Sequence, residues 1–261
     1  MSWRALVVTA HPDDMEFGSA GTVATWSDQG AEVTLCICTD GSTGTQDRSL
    51  MGAGLNKVRV EESLLAAEVL GVKEVAWLDY QDGYMQYTLD LRMDIARMFR
   101  RYRPHRFMVM DPTPTIEGWF INHPDHRAVG QASLDVSMTA GTTPGHFPEL
   151  LDEGLDPWRG LRELWIAGPG LKPRLVDITS TIDRKIAALM CHRSQVGDDA
   201  ERIATFVRDS AAEAGSSAGF AYAESFEVLD QGPGFHSGEQ EDDVDLGDLA
   251  SAPLDLRSSK S

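Results

Sequence analysis

RALVVTAHPDD, residues 4–14, is an apolar run that ends in a histidine, a proline and two aspartates. A short, continuous apolar run of this kind predicts a buried first strand, here over residues 4–10. A second cluster, HPDH at residues 123–126, stands just before a helix-like run that starts near Arg127. Open α/β sheets bind their ligands beyond the carboxyl ends of their strands. We therefore expect the two clusters to meet at one edge of a sheet.

Apolar runs alternate with stretches of helical period along most of the chain, which decides the predicted fold class. The early strands and helices are predicted over residues 4–10, 20–28, 32–39, 55–70, 74–78, 89–102 and 106–110. This alternation predicts right-handed crossovers and an α/β fold, a Rossmann-like, mostly parallel sheet flanked by helices. Later strands are predicted over residues 164–167, 174–178 and 223–229.

The longest predicted helix, residues 55–70, has apolar residues at helical spacing, which are expected to form its buried face. These residues are Val58, Leu64, Leu65, Val69 and Leu70. Gly71 follows them and is expected to end the helix.

The composition indicates an acidic globular protein. The chain has 261 residues, 42% hydrophobic content and a formal net charge of −18, which suits one domain with a large core. The acidic balance argues against nucleic acid as a partner, because phosphate binding needs clustered Lys and Arg. Neither a membrane span nor a signal peptide is apparent, so we expect a cytoplasmic location. Three cysteines are too few for a disulfide framework, and Cys36 and Cys38 are interpreted as core thiols.

The last part of the chain differs in composition from the rest. Residues 231–261 hold seven acidic and two basic residues and are rich in Gly, Ser and Asp. Such composition is typical of disorder, because it offers little apolar surface to bury. The sequence therefore predicts a single catalytic domain over residues 1–230 and an acidic, disordered tail over residues 231–261.

The two clusters contain enough imidazole and carboxylate groups for a catalytic zinc. A catalytic zinc takes three protein ligands and keeps a position for water, whereas a structural zinc is saturated by protein atoms. Of the adjacent Asp13 and Asp14, one can bind the metal while the other faces the water. Pro124 suits the first turn of a helix, which would point His126 back toward the strand ends. The alternative is structural, because each cluster alone could be a turn or a helix cap.

The motifs of this chain closely resemble those of a known family. They are AHPDD at residues 10–14, Gly18, Gly21 and HPDHRAVG at residues 123–130. Together they resemble the PIG-L/LmbE-like family of zinc-dependent N-acetylglucosaminyl deacetylases over nearly all of residues 5–230. The resemblance implies the LmbE-like three-layer sandwich. One departure is Met15, because the family usually has Glu directly after the aspartate pair, and this bears on the hydrogen bonds of the loop.

The resemblance implies a role for each residue of the two clusters. The metal ligands fall on His11, Asp14 and His126, and the general base falls on Asp13. The histidine that stabilises the oxyanion or protonates the leaving amine falls on His123. The implied cofactor is one Zn²⁺ per chain, with Fe²⁺ or another divalent ion as an alternative.

Residues outside the metal ligands are implied with other roles. Asp125 is expected to orient the neighbouring His123, as carboxylates commonly do for functional histidines. Arg59 and Asp82 match positions that contact the sugar in family members. His192 is expected to line the pocket or to support the residues that line it, and the alternative is a helix C-terminal cap. Glu224 would reach the site if its strand packs there.

The resemblance implies a hydrolase that removes the acetyl group from an N-acetylglucosamine-type sugar, so the expected partner is a small amino-sugar substrate. One alternative is an amidase that acts on a sugar conjugate with a larger acyl group. The alternative of another class is a non-catalytic sugar-binding protein on the same scaffold. The sequence leaves the particular substrate open, and it leaves both a monomer and a homo-oligomer open.

Overall fold

A computed structural model describes residues 2–117, 120–168, 173–231 and 244–253. The strands are β1 (Arg4–Thr9), β2 (Glu32–Thr39), β3 (Glu74–Tyr80), β4 (Arg106–Met110), β5 (Ile116–Glu117), β6 (Phe120–Ile121), β7 (Glu163–Ala167), β8 (Pro173–Asp177), β9 (Ala223–Asp230) and β10 (Ser251–Pro253). Strands β5 and β6 form a small hairpin, and the others form one eight-stranded sheet in the order β10-β8-β9-β7-β4-β1-β2-β3.

The sheet is parallel in one half and antiparallel in the other. Strands β3, β2, β1, β4 and β7 are parallel to one another, whereas β9 pairs antiparallel with both β7 and β8, and β8 pairs antiparallel with β10. The α/β prediction is confirmed, and the parallel half carries the two motif clusters. The sheet is more mixed than predicted, because the strands that follow β7 in the chain pair antiparallel with their neighbours.

Helices cover both faces of the sheet. They are α1 (Asp14–Gly18), α2 (Ala20–Asp28), α3 (Ala53–Leu70), α4 (Leu89–Tyr102), α5 (Pro124–Asp135), α6 (Glu149–Asp152), α7 (Ile182–Leu189), α8 (Arg193–Val196) and α9 (Ala200–Ser216). Side chains of α2, α3, α7 and α9 form one core, and side chains of α4 and α5 form the other. The molecule therefore has the three layers that the resemblance implies.

Strand β1 serves both cores because successive side chains of a strand point to opposite faces. Ala5 and Val7 pack into the core under α2, and Leu6 and Val8 pack into the core under α4. All four are at most 1% exposed, so the predicted buried first strand is confirmed.

The predicted buried face of α3 is wrong in part. Val58, Leu64 and Leu65 are 37%, 50% and 55% exposed, and the buried face instead carries Arg59 and Glu62. The cause is a tertiary contact, because the polar face of this helix packs against the loop after β1. Apolar periodicity alone could not detect a helix that buries charged side chains against a functional loop.

The prediction of a disordered tail is wrong for residues 244–253. Ser251–Pro253 pairs with β8 as the outermost strand, and Val244, Leu246 and Leu249 pack against the core under α2. These few apolar side chains stabilise a segment whose average composition is acidic. The rest of the predicted tail lies outside the described residues, and the domain boundary at residue 230 stays a prediction.

Among the helices of the described residues, none has the length and apolar content needed to cross a bilayer. Cys36 and Cys38 are buried in β2 as free thiols, which confirms their predicted place in the core.

Gly130 allows α5 to approach the end of β4. A Cβ atom at this position would clash with the backbone oxygen of Met110 and would lie 3.0 Å from the backbone nitrogen of Pro112. Backbone atoms cannot move aside as a flexible side chain can. Glycine at this position therefore sets the distance between the sheet edge and the first turn of α5, which carries the second motif cluster.

We predict that Gly130→Ala lowers the free energy of unfolding by about 1–3 kcal/mol, because the added methyl group overpacks this contact. Gly54→Ala in α3 is the matched control, because no atom lies within 4 Å of its Cβ position. The control is expected to change stability by less than about 1 kcal/mol, in the stabilising direction. Urea denaturation of both variants is the measurement, and equal stabilities would contradict the prediction.

Candidate metal centre and active site

Three side chains of the two motif clusters converge at the sheet edge. His11 follows the end of β1, Asp14 begins α1, and His126 lies in the first turn of α5. The His11 Nδ1 atom is 3.2 Å from His126 Nε2 and 3.4 Å from Asp14 Oδ2, and Asp14 Oδ1 is 3.0 Å from His126 Nε2. The structure thus brings together the three residues predicted as metal ligands.

The spacing of these atoms fits a tetrahedral metal centre. Zinc–ligand bonds of 2.0–2.1 Å place adjacent ligand atoms roughly 3.3 Å apart in a tetrahedron. The His11 Nε2 atom lies 3.1 Å from Asp125 Oδ2 and 3.2 Å from Asp82 Oδ1, so a His11 ring that binds a metal through Nδ1 would keep its proton on Nε2. The Nδ1 lone pair then faces His126. Two imidazole nitrogens and a carboxylate suit zinc and iron alike.

His123 lies close to the same centre, but Asp14 fits the position of the third ligand better. A ring nitrogen from each of His11, His123 and His126 lies within 4.8 Å of the others. Asp14 approaches His11 and His126 more closely, with its carboxylate oxygens at 3.0–3.4 Å. We therefore assign Asp14 as the third candidate ligand and leave His123 beside the centre.

The electrostatics of the centre favour a cation. Burial lowers the pKa of His11, but the hydrogen bonds to Asp125, Asp14 and Asp82 outweigh burial and raise the pKa to about 12. Burial raises the pKa of Asp14, but the charges and hydrogen bonds of His126 and His11 hold it well below its usual range. The carboxylates of Asp14, Asp82 and Asp125 all lie within 3.4 Å of His11, and a divalent cation would supply positive charge that favours their ionised forms.

Asp13 is a buried carboxylate in an unusual backbone conformation. Its φ of +90° is left-handed, a region that costs free energy for a residue other than glycine. Burial raises the pKa of Asp13 to about 7, although the positive charge of Arg59 opposes the shift. The Arg59 Nη2 atom lies 3.2 Å from Asp13 Oδ2 and also donates to the Pro12 carbonyl. A carboxylate with such a pKa suits a general base at neutral pH.

The structure corrects the partner predicted for Asp125. Its carboxylate contacts His11 Nε2 and accepts hydrogen bonds from Gly83 N at 2.8 Å and Met85 N at 3.3 Å. Among the described residues, His123 accepts a hydrogen bond only from the backbone N–H of Asp125, at its Nδ1 atom. The first turn of α5 directs the Asp125 side chain inward, past His123. Asp125 therefore orients a candidate metal ligand rather than the candidate acid.

His123 is the N-terminal cap of α5 and is partly exposed. Burial and the positive charge of the nearby His11 lower its pKa. Its Nδ1 atom is used by the backbone, which leaves Nε2 as the nitrogen that can exchange a proton with a substrate.

The residues predicted to bind the sugar are mostly buried. Arg59 is 3% exposed, donates to the Gly41 carbonyl at 3.2 Å and holds Asp13. Asp82 accepts from Thr43 N at 3.1 Å and from His11. Both brace loops of the centre, and their contact with a sugar stays a prediction.

His192 does not reach the surface of the site. It is fully buried, and its Nε2 atom lies 3.5 Å from Glu16 Oε2, so direct contact with a substrate is contradicted. Met15 packs in the core, and the next residue, Glu16, carries the buried carboxylate that faces His192.

Glu224 contributes to the site indirectly. It accepts hydrogen bonds from Gly21 N and Thr22 N at 3.0 and 2.8 Å and pairs with Lys185 Nζ at 2.6 Å. Lys185 also donates to the Phe17 carbonyl at 2.8 Å. This buried network fixes the junction of α1 and α2, and sequence reasoning missed Lys185 because a single lysine in a helix carries no signal.

The fold and this centre are those of a metal-dependent hydrolase with a catalytic site at the carboxyl ends of parallel strands. More particularly, the chain belongs to the PIG-L family, because the family model described as GlcNAc-PI de-N-acetylase matches residues 6–137.

Two characterised relatives and a solved structure extend the match beyond that segment. The chain is 33% identical to a diacetylchitobiose deacetylase of Thermococcus kodakarensis, over 87% of this chain and 83% of the relative. It is 30% identical to 1D-myo-inositol 2-acetamido-2-deoxy-alpha-D-glucopyranoside deacetylase 2 of Saccharopolyspora erythraea, over 78% of this chain and 88% of the relative.

The solved structure is that of N,N'-diacetylchitobiose deacetylase from Pyrococcus horikoshii in complex with its inhibitor MPG. It superposes with a TM-score of 0.81 at 33% identity, covering 87% of this chain and 84% of that one. The match confirms the three-layer fold that the sequence motifs implied.

We predict that Asp125→Asn lowers the affinity for Zn²⁺ by about 10–100-fold, because His11 loses the charged partner that orients it. Asp135→Asn on the same helix is the control, because the Asp135 carboxylate contacts Tyr87 and Arg92 at the surface and not the metal centre. Competition with a chromogenic chelator measures both affinities. If Asp125 instead orients His123, metal affinity would stay at the wild-type value and only turnover would fall.

We also predict that Lys185→Met lowers the free energy of unfolding by about 3–5 kcal/mol, because it leaves the Glu224 carboxylate buried without its cation. Adding Glu224→Gln should recover part of this loss. Lys73→Met is the control, because its pair with Glu32 is solvent-exposed and should contribute less than about 1 kcal/mol. Denaturant titration compares the four proteins, and similar losses in both single lysine variants would argue against the prediction.

Proposed function

We propose that this protein is a zinc-dependent hydrolase that removes the acetyl group from an N-acetylglucosamine-type sugar. The observation that carries the proposal is the convergence of His11, Asp14 and His126, with the buried carboxylate of Asp13 beside them. Membership in the PIG-L family and the relatives that act on N-acetylated amino sugars support the same activity.

Amide hydrolysis requires a polarised carbonyl, an activated water molecule and an acid for the departing amine. Zinc held by His11, Asp14 and His126 would lower the pKa of a water molecule to about 7 and polarise the amide carbonyl. Asp13 takes a proton from the attacking water, for which its raised pKa is suitable. His123 hydrogen-bonds the developing oxyanion and gives a proton to the amine as the carbon–nitrogen bond breaks.

The surrounding residues keep these groups in position for both proton transfers. Arg59 holds the Asp13 carboxylate through an ion pair and fixes the preceding Pro12 carbonyl. The backbone N–H of Asp125 fixes the His123 ring through Nδ1. The base and the acid are therefore held independently, on the loop after β1 and at the start of α5.

We predict that Asp13→Asn lowers kcat for acetate release from N,N'-diacetylchitobiose by about 10²–10⁴-fold, because the amide cannot accept the proton of water. Asp79→Asn is the matched control, because Asp79 is also an aspartate with positive φ but is exposed on β3. The control is expected to retain wild-type activity.

The same assay tests the proposed function as a whole. Zn²⁺-loaded protein should release acetate from N-acetylglucosamine, N,N'-diacetylchitobiose or an N-acetylglucosaminyl inositol, and a chelator should abolish the release. Binding of these sugars by the metal-loaded protein without acetate release would favour the non-catalytic alternative. Release that persists after metal removal, or full activity of Asp13→Asn, would refute the proposed mechanism.

A further inference from the structure

A cavity of about 390 Å³ opens directly beside the metal centre. Asp14 and His126 form one wall, and Phe17, Met110 and Ala167 provide apolar surface on the others. An acetyl methyl group is about as large as a water molecule, whose share of liquid volume is about 30 Å³. The cavity is therefore much larger than hydrolysis of an acetyl group requires.

The polar groups in the wall of this cavity are mostly engaged within the protein. Asn122 Nδ2 donates to the carbonyls of Asp111 and Thr113, and Asp111 Oδ1 accepts from Thr113. Thr115 Oγ1 lies 2.9 Å from Thr113 Oγ1, whereas Ser225 Oγ has no partner among the described residues. A sugar ring needs several free donors and acceptors, but an alkyl chain needs none. The wall therefore suits an alkyl chain better.

The apolar surface continues beyond the cavity. A second cavity of about 320 Å³ shares Phe17 and Gly18 with the first and is bounded further out by Phe206 and Val207. Phe17 and Phe206 are 43% and 62% exposed. No atom lies within 4 Å of the Cβ position of Gly18, so space is open where the two cavities meet. We name this pair of cavities the Phe17 groove.

Resting on the proposed amide hydrolysis, we propose that the Phe17 groove binds the acyl chain of the substrate. The protein then hydrolyses N-acyl amino sugars whose acyl chains are longer than acetyl. His123, the proposed acid for the amine, does not line either cavity. The sugar nitrogen therefore leaves on the His123 side, while the acyl carbon lies on the side of Asp14 and His126.

The chemical step is the same for every chain length. The oxygen of water bonds to the acyl carbon, the carbon–nitrogen bond breaks, and a proton passes to the amine. The products are a fatty carboxylate and a free amino sugar. Burial of each additional methylene group contributes up to about fourfold to kcat/KM, because its transfer from water is worth about 0.8 kcal/mol.

The test compares N-hexanoyl- and N-acetylglucosamine as substrates of the Zn²⁺-loaded full chain. We expect kcat/KM for the hexanoyl substrate to equal or exceed that for the acetyl substrate. Gly18→Leu places a side chain in the open space of the groove and should lower the hexanoyl-to-acetyl ratio by about tenfold or more. Gly54→Leu is the control, because its Cβ position is equally open but lies on α3, and its ratio should be unchanged.

Phe206→Ser is a second variant that acts only on the outer cavity. Its side chain is largely exposed, so its replacement is expected to leave folding intact. It should lower kcat/KM for an N-decanoyl substrate and leave that for an N-butyryl substrate unchanged, because only the longer chain extends past Gly18.

The outcomes separate this proposal from the proposed function. Acetate release with hexanoyl turnover at least 100-fold poorer would overturn the acyl groove and leave the deacetylase standing. An unchanged hexanoyl-to-acetyl ratio in Gly18→Leu would also overturn it. If neither amide is hydrolysed, the proposed function fails, and calorimetric binding of N-hexanoylglucosamine then tests the Phe17 groove by itself. Binding weakened by Gly18→Leu but not by Gly54→Leu supports the groove, and equal binding overturns it.

Discussion

The contact between Asp125 and His11 joins the two halves of the candidate metal centre. One residue belongs to the loop after β1 and the other to the first turn of α5, and their side-chain atoms lie 3.1 Å apart. The carboxylate fixes which nitrogen of His11 carries the proton, and so determines that Nδ1 faces Asp14 and His126. Without this contact, the sheet edge would hold the same residues but would not direct their lone pairs to one point.

The centre and the helix junction beside it contain buried charges and a left-handed backbone, and contacts elsewhere in the fold must offset their free-energy cost. Asp13 is buried and has a left-handed backbone, and it is retained by the ion pair with Arg59 on α3. The adjoining helix junction is held by the buried pair of Lys185 and Glu224. A buried ion pair adds little net stability compared with apolar packing, so its value here is the fixed position of the loop.

The sequence predicted those features that depend on local pattern. The alternation of apolar and helical stretches identified β1 to β4, and the two HPD clusters identified the residues that converge at the sheet edge. The failures required tertiary information. The α3 helix buries Arg59 rather than Leu64, and the segment with Leu246 adds a strand despite its acidic surroundings. In each case a few long-range contacts outweigh the average character of the segment.

Helix α1 connects metal binding to the selection of the acyl group. Asp13 and Asp14 stand at its beginning, and Phe17 and Gly18 stand one turn later, in the wall of the Phe17 groove. The Lys185 ammonium holds the Phe17 carbonyl, so it fixes the far end of the same turn. Any movement of α1 would therefore displace a metal ligand and the wall of the groove together. A change of acyl preference is consequently easier to reach through side chains at Gly18 or Phe206 than through the backbone of α1.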